Sequence, residues 1–388
     1  MIHRTVICIG LSVAAACRDG AGPHNHIAYA EVSAGVSGPC AVSTTGAGYC
    51  WGYNGDGELG TGSATGPQLC AGKFPCSTRP APVSGALTFG GISAGATDFA
   101  CGLTTTGAVY CWGDNSSYAL GSGDTASSSK PTRVVGGLTF ALVRAGFRHT
   151  CGLTPVGAAY CWGLNYRGQL GNGDSASSSI PVAVSGGLSF TSLTAGLDDA
   201  CGVTGGGAAY CWGYNAYGQL GNSDTTNTSA PVAVVGGLAF ASVSAGLFHT
   251  CGITTSGAAY CWGSNFAGEL GTGGTNFSRT PIPVAGGLRF ANISAGWWYT
   301  CGVSTSGAAY CWGWDAYGQI GSGGVGYSVP TPTAVAGALI FTSVSAGEYH
   351  TCGVTTDSAA YCWGNNANGE LGDGTTQSAS FPQRVAGP

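Results

Sequence analysis

Short apolar stretches alternate with polar, glycine-rich ones along nearly the whole chain. One such run starts at Phe240 and reads FASVSAGLFHTCGITTSGAAYCWGSNFAGELG, followed by a Ser/Thr-rich stretch and PIPV. Its segments VSAG, TCGIT, AAYCWG and PIPV are β-branched or aromatic and are bounded by glycine or proline, which is typical of short strands. A 3.6-residue period is not apparent, so the pattern predicts four strands, here named a to d, joined by turns.

The same pattern recurs with a period of about 50 residues, and a Trp-Gly dipeptide marks each unit. The marker tryptophans are Trp51, Trp112, Trp162, Trp212, Trp262, Trp312 and Trp363. An insertion at residues 65–77 lengthens the first unit. Seven units of four strands predict an all-β, seven-bladed β-propeller over residues 27–388. A glycine-rich β-solenoid is the alternative, although its coils are usually shorter and its end units atypical.

The consensus S-A-G-x-x-H-x-C-x-L-x-x-x-G-x-x-Y-x-W-G-x-N-x-x-G-x-L-G resembles the repeat of the RCC1-like (regulator of chromosome condensation) family. The resemblance covers all seven units, which depart from it at a few positions. Phe99, Asp199 and Tyr299 stand at the histidine position, and Asp315 stands at the asparagine position. The resemblance implies a seven-bladed propeller, one face of which engages a partner protein, and an exported member of bacterial type.

Fourteen of the 18 cysteines form seven pairs that bracket the turn between strands b and c. If Thr104–Ala108 is the hydrogen-bonded pair that closes the turn, Cys101 and Cys111 face each other as a non-hydrogen-bonded pair. The side chains of such a pair lie closer together than those of a hydrogen-bonded pair. This spacing predicts disulfides; free buried cysteines are the alternative. The predicted pairs are Cys40 with Cys50, Cys101 with Cys111, Cys151 with Cys161, Cys201 with Cys211, Cys251 with Cys261, Cys301 with Cys311 and Cys352 with Cys362, and Cys70 with Cys76 of the insertion as an eighth.

Residues 1–17 have a basic start, an apolar run and small residues before Cys17. They predict an export signal, followed by a linker over residues 18–26. Cys17 resembles the lipidated cysteine of a bacterial lipoprotein, without the usual leucine; plain cleavage after Ala16 is the alternative. The remaining even number of cysteines also indicates an oxidising, exported location in the cell envelope or outside the cell. We expect membrane contact only through a lipid on Cys17.

Composition excludes several other classes of protein. Lys and Arg total 12, are scattered, and leave a net charge of −5. Nucleic-acid binding needs clustered cations, so it is not expected. The chain is 44% hydrophobic and 10% aromatic, which suffices for a folded core rather than a disordered chain.

The repeats differ mainly in the a–b and c–d loops, which an antiparallel blade places on one face. Three extra tryptophans, Trp297, Trp298 and Trp314, all fall in the sixth unit. Clustered aromatic and arginine side chains predict a binding surface for a protein or glycan; aromatic rings that fill gaps between loops are the alternative. The predicted partner-binding residues are Phe147, Arg148, Tyr166, Arg167, Asp198, Asp199, Tyr217, Phe248, Phe266, Trp297, Trp298, Tyr299, Trp314, Tyr317 and Tyr349.

Motifs for catalysis, phosphate binding or zinc binding do not occur, so neither a cofactor nor a metal is expected. Two interpretations remain open for Asp198, Asp199 and Glu348. They form a site for a cation or a polar ligand, or they are solvated carboxylates of the loops. The aspartates after Leu-Gly predict Asx turns, with calcium as the alternative. The three repeat histidines predict structural hydrogen bonds rather than a metal site. The aspartates are Asp124, Asp174 and Asp224, and the histidines are His149, His249 and His350.

Taken together, the sequence predicts an exported, monomeric, non-enzymatic binding propeller. One alternative is a propeller enzyme, a lyase or hydrolase, with acidic residues near the central channel. The other is a structural repeat protein of the cell surface.

Overall fold

The computed structural model describes residues 27–388 and shows a closed ring of seven antiparallel sheets, each forming one blade. The prediction of an all-β, seven-bladed propeller is confirmed, and a solenoid is excluded. In this part of the chain, no helix is long and apolar enough to cross a membrane. The predicted export signal, linker and lipidated Cys17 lie outside the described residues.

The blades follow one another in chain order. Blade 1 contains β1 (Tyr29–Ser33), β2 (Cys40–Ser43), β3 (Gly48–Tyr53), β4 (Gln68–Cys70) and β5 (Phe74–Pro82), and blade 2 contains β6 (Phe89–Ala94), β7 (Phe99–Thr104), β8 (Val109–Gly113) and β9 (Ser128–Arg133). Blade 3 contains β10 (Leu142–Ala145), β11 (His149–Leu153), β12 (Ala159–Gly163) and β13 (Ser178–Ala183), and blade 4 contains β14 (Phe190–Ala195), β15 (Asp199–Thr204), β16 (Ala209–Gly213) and β17 (Thr228–Ala233). Blade 5 contains β18 (Phe240–Ala245), β19 (His249–Thr254), β20 (Ala259–Gly263) and β21 (Ser278–Pro283), and blade 6 contains β22 (Phe290–Ala295), β23 (Tyr299–Ser304), β24 (Ala309–Asp315) and β25 (Gly326–Ala334). Blade 7 contains β26 (Phe341–Ala346), β27 (His350–Thr355), β28 (Ala360–Gly364) and β29 (Ala379–Arg384).

The first strand of each blade lines a central channel, and the fourth forms the outer edge. The channel holds a cavity of about 310 Å³ lined largely by serine, threonine and alanine, with Glu31 and Arg144 as its charged side chains in the described chain. In the first blade, β4 and the beginning of β5 pair as a hairpin in the predicted insertion, and the Cys70–Cys76 disulfide links them; the rest of β5 pairs with β3.

The hydrophobic core lies between neighbouring blades. Trp212 is fully buried against Phe190, with 5.9 Å between ring centroids, and its indole N–H donates to the main-chain oxygen of Gln169 in the preceding blade at 3.0 Å. All seven marker tryptophans make this bond, at 2.8–3.0 Å. Gly171 has φ +65°, and a Cβ there would lie 2.7 Å from the Trp212 indole. The recurring Leu-Gly therefore leaves room for the tryptophan.

The ring closes without exchange of strands between its two ends. Blade 1 comes wholly from the beginning of the described chain and blade 7 wholly from its end. Trp51 donates to the main-chain oxygen of Glu370 at 2.9 Å, and Tyr29 N donates to Ser358 O at 2.8 Å. The junction between the last and first blades thus repeats the tryptophan contact found between the others.

All eight predicted cysteine pairs are disulfides in the structure. In the seven hairpin pairs the Cα atoms lie 4.0–4.1 Å apart, because each pair joins directly opposite positions of the second and third strands of its blade. The confirmed hairpin disulfides join Cys40 to Cys50, Cys101 to Cys111, Cys151 to Cys161, Cys201 to Cys211, Cys251 to Cys261, Cys301 to Cys311 and Cys352 to Cys362. The alternative of free buried cysteines is therefore wrong for these fourteen residues and for the pair in the insertion.

The hairpin turn that brings each pair together also has the predicted form. In blade 2, Thr104 N donates to Ala108 O at 2.8 Å, and Gly107 has φ +83°. The Thr104–Ala108 pair thus closes the turn as expected, and the turn ends in a left-handed glycine.

Candidate functional site

Main-chain bonds hold the two variable loops of a blade against each other. Tyr214 N, in the c–d loop of blade 4, donates to the main-chain oxygen of Asp198, in the a–b loop, at 2.8 Å. Blades 2 to 7 all have this bond, at 2.6–2.9 Å. The face that carries these loops therefore has a fixed backbone.

An asparagine shortly after Trp-Gly organises the c–d loop of every blade except blade 6, where Asp315 takes its place. In blade 3, Asn165 Oδ1 accepts from Leu170 N at 2.9 Å, and its Nδ2 donates to Asp174 O at 3.2 Å. Asp174 Oδ1 in turn accepts from Ala176 N at 2.9 Å. The equivalent bonds of Asp124 and Asp224 confirm the predicted Asx turns. The residues just after the asparagine lie at the tip of this loop, so Tyr166 is 53% exposed.

Aromatic side chains from blades 3 to 7 form a surface that we call the aromatic rim. It consists of Phe147, Arg148, Tyr166, Arg167, Tyr214, Tyr217, Phe248, Phe266, Trp297, Trp298, Trp314, Tyr317 and Tyr349. On one side of it, Tyr217 and Phe248 have ring centroids 4.8 Å apart, and they contact Phe266 and Trp298 at 5.7 and 5.5 Å. Arg167 lies 4.9 Å from the Tyr214 ring. These contacts join blades 3, 4, 5 and 6.

Trp297 connects opposite sides of the rim across the mouth of the channel. Its ring lies 6.5 Å from Phe147 of blade 3 and 6.1 Å from Tyr349 of blade 7. Tyr349 continues to Trp314 at 5.4 Å and to Tyr317 at 5.1 Å. The three extra tryptophans are half-buried in this packing, whereas Phe266 and Tyr317 are 60% and 42% exposed.

Three predicted partner-binding residues do not lie on the surface. Asp199 and Tyr299 begin the second strands of their blades and are buried, with exposures of 1% and 0%. The Tyr299 hydroxyl donates to His350 O at 2.6 Å. Burial raises the pKa of Asp199 well above its ordinary value. The neighbouring Asp198 is also buried, at 6% exposure. For all three the expectation of a partner contact is wrong.

Asp198 lies beneath the aromatic rim and holds one of its side chains by a hydrogen bond. Its Oδ2 accepts from the Tyr166 hydroxyl at 2.6 Å, and its Oδ1 accepts from Gln169 Nε2 at 3.0 Å. Arg167 lies 5.1 Å from the Tyr166 ring. Burial raises the pKa of Asp198, and the bond from Tyr166 opposes that rise. The carboxyl group therefore positions an exposed tyrosine beside an arginine.

The repeat histidines are buried and lie apart. His249 Nε2 is 2.9 Å from Thr300 Oγ1, which confirms the predicted structural bond there. His149 finds no hydrogen-bond partner among the described residues, and Ala200 stands where the next blade usually has that threonine. Burial lowers the pKa of His149 to about 4 and that of His249 to about 3, so both rings are neutral at pH 7.

The opposite side of the same face carries a group of carboxylates, of which only Glu348 was singled out from the sequence. They are Asp56, Glu58, Asp98, Asp114, Glu348 and Glu370. Burial, with the charges of Asp98 and Asp56, raises the pKa of Glu58 to about 8. Glu348 lines a cavity of about 250 Å³ with Asp98 and Glu370, so its expected grouping with Asp198 and Asp199 is wrong. Tyr214 was also missed, although it occupies a rim position after Trp-Gly.

Comparisons with known proteins agree with this architecture. The family model for the RCC1-like domain matches residues 77–388. The structure is similar to human WBSCR16, with 19% identity, a TM-score of 0.78 and coverage of 88% of this chain and 94% of that one. It is also similar to Prp20p of Saccharomyces cerevisiae, whose structure was described with its binding to Gsp1p and histones, with 21% identity, a TM-score of 0.76 and coverage of 89% and 87%.

A third similar structure is the ectodomain of the Arabidopsis thaliana receptor kinase ACR4, with 21% identity, a TM-score of 0.52 and coverage of 90% and 96%. At such identities these likenesses show the fold alone. The family model, in contrast, matches well over half of the residues. The chain therefore belongs to the RCC1-like domain family.

Proposed function

We propose that this propeller is an exported, non-enzymatic protein that binds another protein through its aromatic rim. The observation that carries the proposal is the concentration of aromatic side chains on one face of the ring. Eleven aromatic rings and two arginines from five blades lie on one face, and ring contacts of 4.8–6.5 Å join ten of the rings in two groups of five. Tyrosine, tryptophan and arginine are the side chains that most often dominate protein interfaces.

A protein suits this surface better than a sugar. Many of the ring pairs meet edge to face, so neighbouring rings cover much of the flat surface on which a sugar would stack. Tyr166, Phe266 and Tyr317 remain well exposed and are spaced over blades 3, 5 and 6 as separate anchors. The main-chain bonds between loops fix the backbone in advance, which lowers the entropic cost of association. The binding of Gsp1p and histones by Prp20p gives a precedent in the same fold.

Arg148 and Arg167 define the charge of the partner. Both are exposed, and each lies about 5 Å from an aromatic ring of its own blade. A partner surface with apolar pockets beside Asp or Glu side chains would complement them. The proposed location outside the cytoplasm is supported by eight disulfides, because reducing compartments rarely preserve so many.

The test is affinity capture from the native surroundings of the cell, with quantitative mass spectrometry. The bait is the wild-type chain or a triple variant, Tyr166→Ala, Phe266→Ala and Tyr317→Ala. Phe381→Ala is the matched control, because Phe381 is 53% exposed on the outer strand β29, away from the rim. We expect a protein that the wild type and the control retain and the triple variant loses.

Equal recovery by the triple variant would contradict binding through the rim. Recovery of no protein by any bait would favour the structural repeat protein. A glycan array probed with the same three proteins distinguishes a protein ligand from a glycan. Glycan binding that the triple variant loses, with no protein captured, would show that the ligand is a sugar. Turnover of a polysaccharide or lactone by the wild type would overturn the non-enzymatic assignment.

A further inference from the structure

One position recurs in every c–d loop and, at the junction of blades 3 and 4, contacts the a–b loop of the next blade. It lies immediately before the Leu-Gly or Ile-Gly pair and is occupied by Glu58, Ala119, Gln169, Gln219, Glu269, Gln319 and Glu370. At the junction of blades 3 and 4, Gln169 Nε2 donates to Asp198 Oδ1 at 3.0 Å, and Gln169 Oε1 accepts from Arg167 N at 2.9 Å. The amide thus links the two blades with both of its polar atoms satisfied.

The junction of blades 1 and 2 has a carboxylate where that amide stands. Glu58 occupies the Gln169 position, and Asp98 occupies the Asp198 position. Glu58 is 5% exposed, and its Oε2 accepts from Asp56 N at 3.0 Å. Its Oε1 is buried and finds no hydrogen-bond donor in the described chain. Two acidic groups therefore approach each other where the junction of blades 3 and 4 has an amide N–H and a carboxylate.

The other glutamates at this position are fully paired with neutral donors. Glu269 accepts from the Ser264 hydroxyl at 2.7 Å and from the main-chain nitrogens of Phe266 and Ala267 at 3.1 and 2.7 Å. Glu370 accepts from the side-chain amides of two asparagines and from a main-chain nitrogen, at 2.8–3.2 Å. The position itself accommodates a carboxylate, and Glu58 differs from these two glutamates because one of its buried oxygens has no donor in the described chain.

A third carboxylate completes the group. Asp56, Glu58 and Asp98 each offer an oxygen, and these oxygens all lie within 4.8 Å of one another. Oxygen ligands 2.3–2.6 Å from a calcium ion are at most about 5 Å apart, so one such ion can contact all three. Ser37 donates to Asp98 and lines a small cavity beside Glu58, between the two blades.

We propose that Asp56, Glu58 and Asp98 bind a calcium ion at the junction of blades 1 and 2. A site made only of carboxylate oxygens suits a hard divalent cation. Three protein ligands leave several positions to water, so we expect weak affinity, on the order of 10⁻⁴–10⁻³ M, as in extracellular calcium modules. The ion would link these two blades as the Gln169 amide links blades 3 and 4. This site is separate from the aromatic rim and does not depend on the proposed function.

The test is a titration of the purified full chain, stripped of metal with a chelator, with CaCl₂ by isothermal titration calorimetry. We expect one binding event, and a rise in melting temperature of about 3 °C at a calcium concentration 100 times the dissociation constant. Glu58→Gln should weaken binding by about tenfold or more. Glu269→Gln is the control at the same position in blade 5 and should bind calcium like the wild type.

Folding of the Glu58→Gln variant can be checked independently. Its amide can donate to Asp98 as Gln169 donates to Asp198, so it should melt no lower than the metal-free wild type. Absence of both binding heat and a melting shift in the wild type would overturn the proposal. Equal calcium affinity in Glu58→Gln would also overturn it. So would a wild type whose stability responds to pH near 8 but not to calcium, because a proton shared by the carboxyl groups would then replace the ion.

Discussion

The core between blades and the aromatic rim are built from neighbouring residues of the same loops. The core contacts recur from blade to blade, whereas the rim side chains vary. In blade 3 the main-chain oxygen of Gln169 holds Trp212 of the next blade, while Tyr166 and Arg167, just before it, lie at the surface. The tryptophan contact recurs at all seven junctions, whereas the rim side chains differ from blade to blade. Repetition thus preserves the ring, and variation is confined to side chains that leave the ring intact.

The largest effect should follow from truncation of a core tryptophan. Trp212→Ala removes a fully buried ring and its bond to Gln169 O, so the free energy of unfolding should fall by about 3–5 kcal/mol. Chemical denaturation measures the change. A loss below about 1 kcal/mol would show that the interblade core does not carry the stability assigned to it.

Removal of one hairpin disulfide should have the next largest effect. The double variant Cys201→Ala and Cys211→Ala enlarges the accessible ensemble of the unfolded chain, and stability should fall by about 2–3 kcal/mol. The wild type and the variant are compared without reductant. An unchanged melting temperature would mean that pairing across this hairpin is already fixed by the strands alone.

Asp315 should give a smaller, pH-dependent effect. It takes the place of the loop asparagine in blade 6, accepts from Ile320 N at 2.9 Å, and has a pKa raised to about 6 by burial. Because the folded chain holds this proton more tightly than the unfolded chain, stability should fall as the pH rises from 3.8 to about 6. Asp315→Asn should lack that fall in melts recorded across this range; a parallel pH profile in both proteins would contradict this assignment.

The smallest effect on stability should come from the rim. Phe266→Ala removes a side chain that is 60% exposed, so the free energy of unfolding should change by no more than about 0.5 kcal/mol. The same denaturation measurement applies. A loss comparable to that of Trp212→Ala would show that the rim is an extension of the core, and the contrast between the two regions would fail.

Periodicity accounts for what the sequence could predict. Seven copies of one pattern fix the strands, the hairpin register and the paired cysteines, because an error in any of them would have to recur seven times. The predicted pairing of Cys101 with Cys111 needed only the turn and the alternation of a strand. Burial of Asp199 and Tyr299 could have been predicted from the same alternation, since both occupy the histidine position at the start of a strand.

Periodicity and strand alternation do not predict contacts between different blades. Phe147 and Trp297 lie 150 positions apart in sequence and meet only because the ring brings blades 3 and 6 to one channel mouth. Glu58 and Asp98 meet for a similar reason, at the junction of adjacent blades. The exchange of glutamine for glutamate at one repeat position was the available signal, but its meaning depends on which loop faces it.

Because blade 1 and blade 7 are each complete, the ends of the described chain lie at a junction like the other six. Circular permutation at another junction between blades should therefore yield the same ring. The same independence makes the repeat a natural unit of gene duplication: a new copy brings its own four strands, its disulfide and its place for the next tryptophan. Its surface loops can then diverge without disturbing its neighbours.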